Sequence, residues 1–273
     1  MKKSWFASKK VIVTGASSGI GRKIVDILIK DYGCTVLGVS RNSERAIAVY
    51  NDISAITDKY SYYCFDVSKK DEWIKFVEYL SNNDFIPDLV INNAGMLPKF
   101  RSAVKTDIED IEKVLFTDFL SAVYSFKFIY DKFGDKVSFV NVSSSASLAS
   151  LAGTSAYSSA KSALRAFTEC VSVELKKKTY ISVVCPGFTK TEIFKNQSQP
   201  IDQGLIGKVS MPVQKMAKKI VKGIKCKKRR MVFGKDAHIM SILARLMPQK
   251  SIDITSSFLK MSKMSLFDEV FEK

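Results

Sequence analysis

Short runs of β-branched and aromatic residues alternate along the chain with longer stretches in which apolar residues recur every three or four positions. The runs that predict strands are Val11–Val13, Thr35–Val39, Tyr62–Phe65, Leu89–Ile91, Val137–Val142, Ile181–Val184 and Met231–Phe233, seven in all. Helical spacing falls between them, on Ile20–Tyr32, Glu44–Asp58, Lys69–Leu80, Ile111–Phe133, Ala156–Lys177 and Val213–Lys225. Strand and helix taking turns in this way is the pattern of βαβ units, so the expected fold class is α/β with a parallel sheet.

No Pro/Gly/Ser linker and no fixed-period repeat divides the chain, so residues 1–273 are expected to form one domain. The stretch 189–212 is less periodic and carries Pro200, Gly204, Gly207 and Pro212, as a substrate loop would. Residues 235–273 form a C-terminal extension. In it Ile239, Ile242, Leu243, Leu246 and Met247 keep helical spacing, followed by Phe258, Leu259, Met261, Met264, Leu266 and Phe267. These read as core cover or as a lipophilic pocket wall rather than a membrane anchor. No apolar stretch is long enough to span a bilayer, and the N-terminal residues run straight into a strand without the pattern of a signal peptide.

Composition narrows the class further. Hydrophobic residues make up 46% of the 273 and no tract is of low complexity, which suits a packed core and excludes collagen-like, coiled-coil and mainly disordered chains. Lys and Arg outnumber Asp and Glu by 43 to 27, a formal charge of +16 that favours polyanionic partners: nucleotide phosphates, nucleic acid or an anionic membrane surface. The basic runs Lys176–Lys178 and Lys227–Arg230 read as solvated helix ends, and no nucleic-acid motif accompanies them. Five cysteines without a CxxC pair point to neither a disulfide framework nor a zinc site, and to a reduced, cytoplasmic setting. The lone histidine, His238, excludes mechanisms that use several and reads as structural.

Candidate chemistry gathers at three places. Thr14-Gly15-Ala16-Ser17-Ser18-Gly19-Ile20-Gly21 lies between the first strand and first helix, where glycines allow close backbone approach to a pyrophosphate and the helix N-terminus supplies amide donors. Ser143, Ser144 and Ser145 follow the fifth strand, at the end where open α/β sheets bind their ligands. Tyr157 and Lys161 share one helix face, and an ammonium beside a phenol is expected to lower its pKa and suit it to acid–base work.

These motifs together resemble the short-chain dehydrogenase/reductase family: TGASSGIG its TGxxxGxG, Asn92-Asn93-Ala94-Gly95 its NNAG, and Tyr157 to Lys161 its YxxxK. Ser144 matches the family's catalytic serine, and Pro186-Gly187 with Thr189 and Thr191 matches the segment that closes over the nicotinamide. The likeness covers residues 8 to 235. It implies a Rossmann-type, doubly wound sheet in the order 3-2-1-4-5-6-7 and hydride transfer between a nicotinamide and a carbonyl or alcohol. It further implies that Tyr157 donates the proton, Ser144 orients the carbonyl oxygen, and Lys161 holds the ribose. Gly15, Ser17, Ser18, Gly19, Ile20, Gly21, Asp66, Val67, Asn93, Ala94 and Gly95 would complete the cofactor site, with Asp66 near the adenine.

Two positions refine this expectation. Asp118, in Thr117-Asp118-Phe119, stands where the family usually has the Asn of a water-mediated proton relay. Ser40 and Arg41 end the second strand with a hydroxyl and a guanidinium and no carboxylate. That favours a 2′-phosphate and so NADP(H), with NAD(H) a second possibility. The reading is an NADPH-dependent carbonyl reductase, acting on a lipophilic ketone and forming a homodimer or homotetramer, because the helix Ile111–Phe133 is apolar nearly all round. The alternative is a non-catalytic nucleotide-binding protein that senses redox state through its contacts, with Asp118 disabling the relay.

Overall fold

The computed structural model describes residues 4–194, 207, 210–261, 267 and 269–271. Pro200, Gly204, Met264 and Leu266, and the side chains of Phe258, Leu259 and Met261, lie outside the described residues, as does most of the stretch 189–212. In chain order the elements are β1 Lys10–Thr14, α1 Gly19–Tyr32, β2 Thr35–Ser40, α2 Ser43–Ser54, β3 Tyr60–Cys64, α3 Lys70–Asn82 and β4 Leu89–Asn92. They continue with α4 Ile108–Leu115, a π-helical turn Phe116–Leu120, α5 Ser121–Phe133, β5 Ser138–Val142, α6 Ser155–Glu174 and β6 Ile181–Pro186. Then come β7 Thr189–Lys190, β8 Met211–Pro212, α7 Val213–Lys225, β9 Arg230–Phe233, α8 Lys235–Leu246 and α9 Lys250–Met261.

Seven of these strands form one parallel sheet in the order β3-β2-β1-β4-β5-β6-β9, as the sequence led us to expect. Both faces of the sheet are covered, and the alternation of strand side chains divides the core in two. Val11, Val13, Leu89 and Ile91 point toward α1, α2 and α7, where Ile24, Leu28, Val49, Ile220 and Ile224 meet them. Ile12 and Val90 point the other way, toward Trp73 and Phe76 of α3, Ile129 of α5 and Val171 of α6. A strand buried on both faces must be apolar at every position, and so the short β-branched runs were legible. The order reverses between β1 and β4, which opens a crevice at their C-terminal ends.

Three departures from the sequence reading have physical causes. The helix expected over Ile111–Phe133 is interrupted at Phe116–Leu120 by the π turn, which carries Thr117 and Asp118 into the interior together. The helices starting at Ser43 and Ser155 stop at Ser54 and Glu174, leaving Lys176–Lys178 exposed in the turn beyond. In α8 the inward face is made by Ala237 and Met240, while Ile239, Ile242 and Leu246 face outward, so these three are not core cover. His238 is exposed on the same helix. Phe267 does act as a pocket backing: its ring packs edge-on against Phe100 at 5.3 Å, in a cluster with Leu97 and Val270.

Candidate active site

The crevice is built first by the turn after β1. Gly15 has φ +66°, and a Cβ there would come within 3.0 Å of the Ala94 Cα, so only glycine lets the two loops touch. Thr14 fastens them: its hydroxyl accepts the amides of Asn93 and Ala94, each at 3.0 Å, and Asn93 Nδ2 donates back to the Thr14 carbonyl at 3.1 Å. At the start of α1, Ser18 is extended and its side chain makes no capping bond, which leaves the first-turn amides to a ligand. Gly15, Ser18, Gly19 and Ile20 line a cleft of about 410 Å³.

The end of β2 supplies the charge. Arg41 lines the cleft and is exposed, and so is Arg45, one turn into α2, whose guanidinium lies 3.1 Å from Glu192 Oε2. Asn42 caps α2 by accepting the Arg45 amide at 2.7 Å. Ser40 is buried and its hydroxyl donates to the Asn42 carbonyl at 3.2 Å, so it braces this turn. Burial alone would raise the Asp66 carboxyl; the hydroxyl and amide of Ser68, with the charges of Arg41 and Lys69, instead bring it below its ordinary value. Val67 is buried in the core beside Trp73.

The third part is a buried polar cluster. β5 delivers Ser143, whose hydroxyl donates to the Lys161 carbonyl at 2.8 Å, and Ser144, whose hydroxyl accepts the Ala146 amide at 3.2 Å and which lines the cleft together with Tyr157. The Lys161 ammonium lies 5.7 Å from the Tyr157 ring centre, donates to the Val142 carbonyl at 3.3 Å and pairs with Asp118 Oδ2 at 3.3 Å. The other carboxylate oxygen of Asp118 accepts the Met96 amide at 2.7 Å. Gly95 roofs the pair: a Cβ there would stand 3.1 Å from Lys161 Nζ and 3.4 Å from Asp118 Oδ2. Lys161 and Asp118 are 3% and 1% exposed, so this is an ion pair taken out of water.

Burial sets the protonation of the cluster. It raises the Asp118 carboxyl, against the lowering by Lys161 and by the Met96 amide. For Lys161 burial works to lower the pKa, but Asp118 and Tyr157 outweigh it and the net shift is upward. For Tyr157 burial is again the largest effect and Asp118 adds to it, so the phenol lies above its ordinary value although Lys161 and Ser144 pull it down. The ammonium acts in the direction expected from sequence; it does not prevail, because desolvation and the charge of Asp118 together outweigh it.

Of the residues singled out in sequence, Gly15, Ser18, Gly19, Ile20, Arg41, Asn93, Ala94, Gly95, Ser144, Tyr157, Lys161, Pro186, Gly187, Thr189 and Thr191 converge on one cleft. Ser17, Gly21, Ser40, Asp66, Val67 and Asp118 are not on its wall. Asp118 reaches it only through Lys161. Missed from sequence were Arg45, signalled by a second arginine one helical turn after Arg41, and the apolar end made by Met96, Leu97, Phe100, Leu151, Phe188, Ile193 and Phe194.

A family model described as short chain dehydrogenase matches residues 9–202. The chain is 31% identical over 248 residues to the 3-ketodihydrosphingosine reductase of Bos taurus, which covers 85% of this chain and 73% of that protein. In fold it is similar to a short chain dehydrogenase/reductase of Burkholderia phymatum in complex with NAD, with TM-score 0.78, 16% identity and coverage of 94% and 97% of the two chains. It is similar also to a short-chain dehydrogenase of Sphingobium yanoikuyae in complex with NADPH, with TM-score 0.75, 21% identity and coverage of 94% and 96%. A non-catalytic nucleotide sensor finds no support among these relatives.

Proposed function

The chain belongs to the short-chain dehydrogenase family and is an oxidoreductase that binds a nicotinamide cofactor; on that premise we propose that it is an NADP(H)-dependent reductase of a lipophilic ketone. The observation that carries this is the single cleft whose wall holds two arginines, Ser144, Tyr157 and Lys161, and seven apolar residues.

Gly15, Ser18, Gly19 and Ile20, with the open N-terminus of α1, would hold the pyrophosphate, and Arg41 and Arg45 the 2′-phosphate, whose two charges suit a pair of guanidinium forks. The cradle fits because a Cβ on Gly15 would close it. When bound, the nicotinamide supplies the hydride. Ser144 orients the ketone oxygen by donating to it, and Tyr157 hands its hydroxyl proton to that oxygen. Lys161, fixed by Asp118 and the Val142 carbonyl, sets the field in which the phenol gives up its proton.

The apolar wall favours a ketone carrying aliphatic or ring carbon. The name of the bovine relative makes 3-ketodihydrosphingosine the first compound to assay. Oxidation of NADPH with that ketone and with steroid and short-chain ketones, compared with NADH, tests the reading. No turnover of any ketone with either cofactor overturns it, and equal use of NADH overturns the 2′-phosphate assignment.

We further place residues 189–212 as the substrate loop, and the reaction in a reducing, cytoplasmic compartment, in keeping with five free thiols. A homodimer or homotetramer would bury the outer face of the α4–α5 segment, where Phe116 is 41% exposed and Leu120 and Val123 are half-buried. Light scattering at micromolar concentration showing only a monomer would remove that part of the reading.

A further inference from the structure

A helix laid on a sheet is expected to turn its apolar stripe inward. In α8 the inward side chains are small or flexible, Ala237 and Met240, while the large aliphatic ones point to solvent. Ile239 is 58%, Ile242 56% and Leu246 75% exposed, and their spacing puts all three on one face. Met247, which follows the helix, is exposed as well, and so are Ile252 and Ile254 in α9. Of the fifteen large hydrophobic side chains exposed among the described residues, six fall in this one helix pair. Such clustering is unusual for a surface that meets only water.

The rim of the stripe is basic. Lys235, Arg245 and Lys250 are exposed beside it. Among the acidic residues of these helices, Asp253 is exposed, whereas Asp236 is turned inward and accepts the Phe188 amide at 2.6 Å. That bond and the packing of α8 on the turn Ser145–Ser147 fix the helix to the two segments that flank the apolar end of the cleft.

We propose that the outer face of α8, continued by the start of α9, docks on the surface of an anionic membrane. Apolar side chains on one face with cations along the edge are what an interfacial helix presents, the former entering the acyl boundary and the latter meeting lipid phosphates. Pairing of this face with a second copy would bring two basic rims together in a chain of formal charge +16, whereas an anionic headgroup layer neutralises them. The surface does not depend on which ketone the enzyme reduces.

The test is sedimentation of the full chain with vesicles of phosphatidylcholine alone or mixed with phosphatidylserine. The parent protein is expected to pellet with the mixed vesicles, less so as salt is raised. The triple variant I239S/I242S/L246S is expected to lose about tenfold or more in partition coefficient, and Arg245→Glu with Lys250→Glu to lose the preference for phosphatidylserine. All three positions are solvent-exposed, so thermal midpoint and NADPH binding should be unchanged; the single change Leu246→Gln gives the same comparison with less disturbance. The proposal is overturned if the parent stays in the supernatant with both vesicles, if it binds both equally, or if the triple variant binds as well as the parent. It is overturned in favour of a second copy if the triple variant merely converts a dimer to a monomer.

Discussion

Replacing Asp118 by Asn removes one charge from the buried pair while keeping the shape and the bond to the Met96 amide. At 3.3 Å the attraction between Lys161 Nζ and Asp118 Oδ2 is worth about 5 kcal/mol at an effective dielectric constant near 20. Burial of the carboxylate outweighs that attraction, as the upward shift of Asp118 shows. What the variant leaves behind is a buried ammonium with the Val142 carbonyl as its protein acceptor, so a loss of roughly 3–5 kcal/mol in stability is expected. Tyr157 feels a second effect. Since Nζ is 3.3 Å from Oδ2 and 5.7 Å from the ring centre, Oδ2 lies within about 9 Å of that centre, where a charge is worth at least about 2 kcal/mol at the same dielectric constant. Removing it should lower the phenol pKa, because the charge of Asp118 is one of the causes that raise it. The assay is the pH profile of kcat/KM for ketone reduction, with thermal unfolding alongside. Asp118→Asn should stay folded, keep or gain activity near neutral pH, and show its basic limb at lower pH than the parent. An unmoved limb would mean that Asp118 does not act on Tyr157, and loss of turnover in a folded variant would make the carboxylate part of the chemistry.

Tyr157→Phe should retain NADPH binding, read by fluorescence titration, and lose at least about 100-fold in kcat, the lower range for a general acid; an active Phe variant removes Tyr157 from its role. Arg41→Ala should weaken NADPH binding about tenfold to a hundredfold and leave NADH binding nearly unchanged, and Arg45→Ala should act in the same direction; equal losses for both cofactors would place the guanidinium groups away from the 2′-phosphate. Burial pushes the Tyr60 phenol up to about 12, above its value near 10 in the unfolded chain. The unfolded chain therefore ionises first, and this tyrosine's contribution to stability, at most about 3 kcal/mol, is full below pH ~10 and lost as pH rises toward ~12. The denaturant midpoint of the parent should fall relative to that of Tyr60→Phe over that range; parallel curves would show that the phenol is not enclosed.

The sheet was legible because β1, β4, β5 and β6 are covered on both faces, so that local composition and tertiary burial carry the same message. The Tyr157–Lys161 pair was legible because a helix turns spacing into geometry. The π turn was not: an extra residue in one turn leaves the apolar spacing of Ile111–Phe133 almost unchanged, and it is set by the need to bring Asp118 beneath Gly95 and beside Lys161. Arg45 was missed because a basic residue at a helix N-terminus runs against the helix dipole, and its place becomes intelligible only with Glu192, distant in sequence, beside it. In α8 periodicity identified the helix and misjudged its face, since spacing says that apolar residues share a side and not which side meets the sheet.

The same distinction between what spacing states and what enclosure decides bears on the direction of the reaction. Read from sequence, Lys161 should lower the Tyr157 pKa; in the folded chain the phenol lies above its ordinary value, because burial and Asp118 together exceed the pull of the ammonium. Carbonyl reduction needs a proton donor at the oxygen that receives it, and a protonated Tyr157, on the wall of the cleft with Ser144, is that donor. Alcohol oxidation needs the phenolate, which costs about 1.4 kcal/mol for every unit by which the pKa exceeds the working pH. On the proposed assignment, reduction should be nearly independent of pH through neutrality and fall only in alkali, while oxidation should climb with pH over the same range. A reductive rate that falls already on going from mildly acidic to neutral pH would show that the phenol ionises early and that the charge balance drawn from Lys161, Asp118 and burial is wrong.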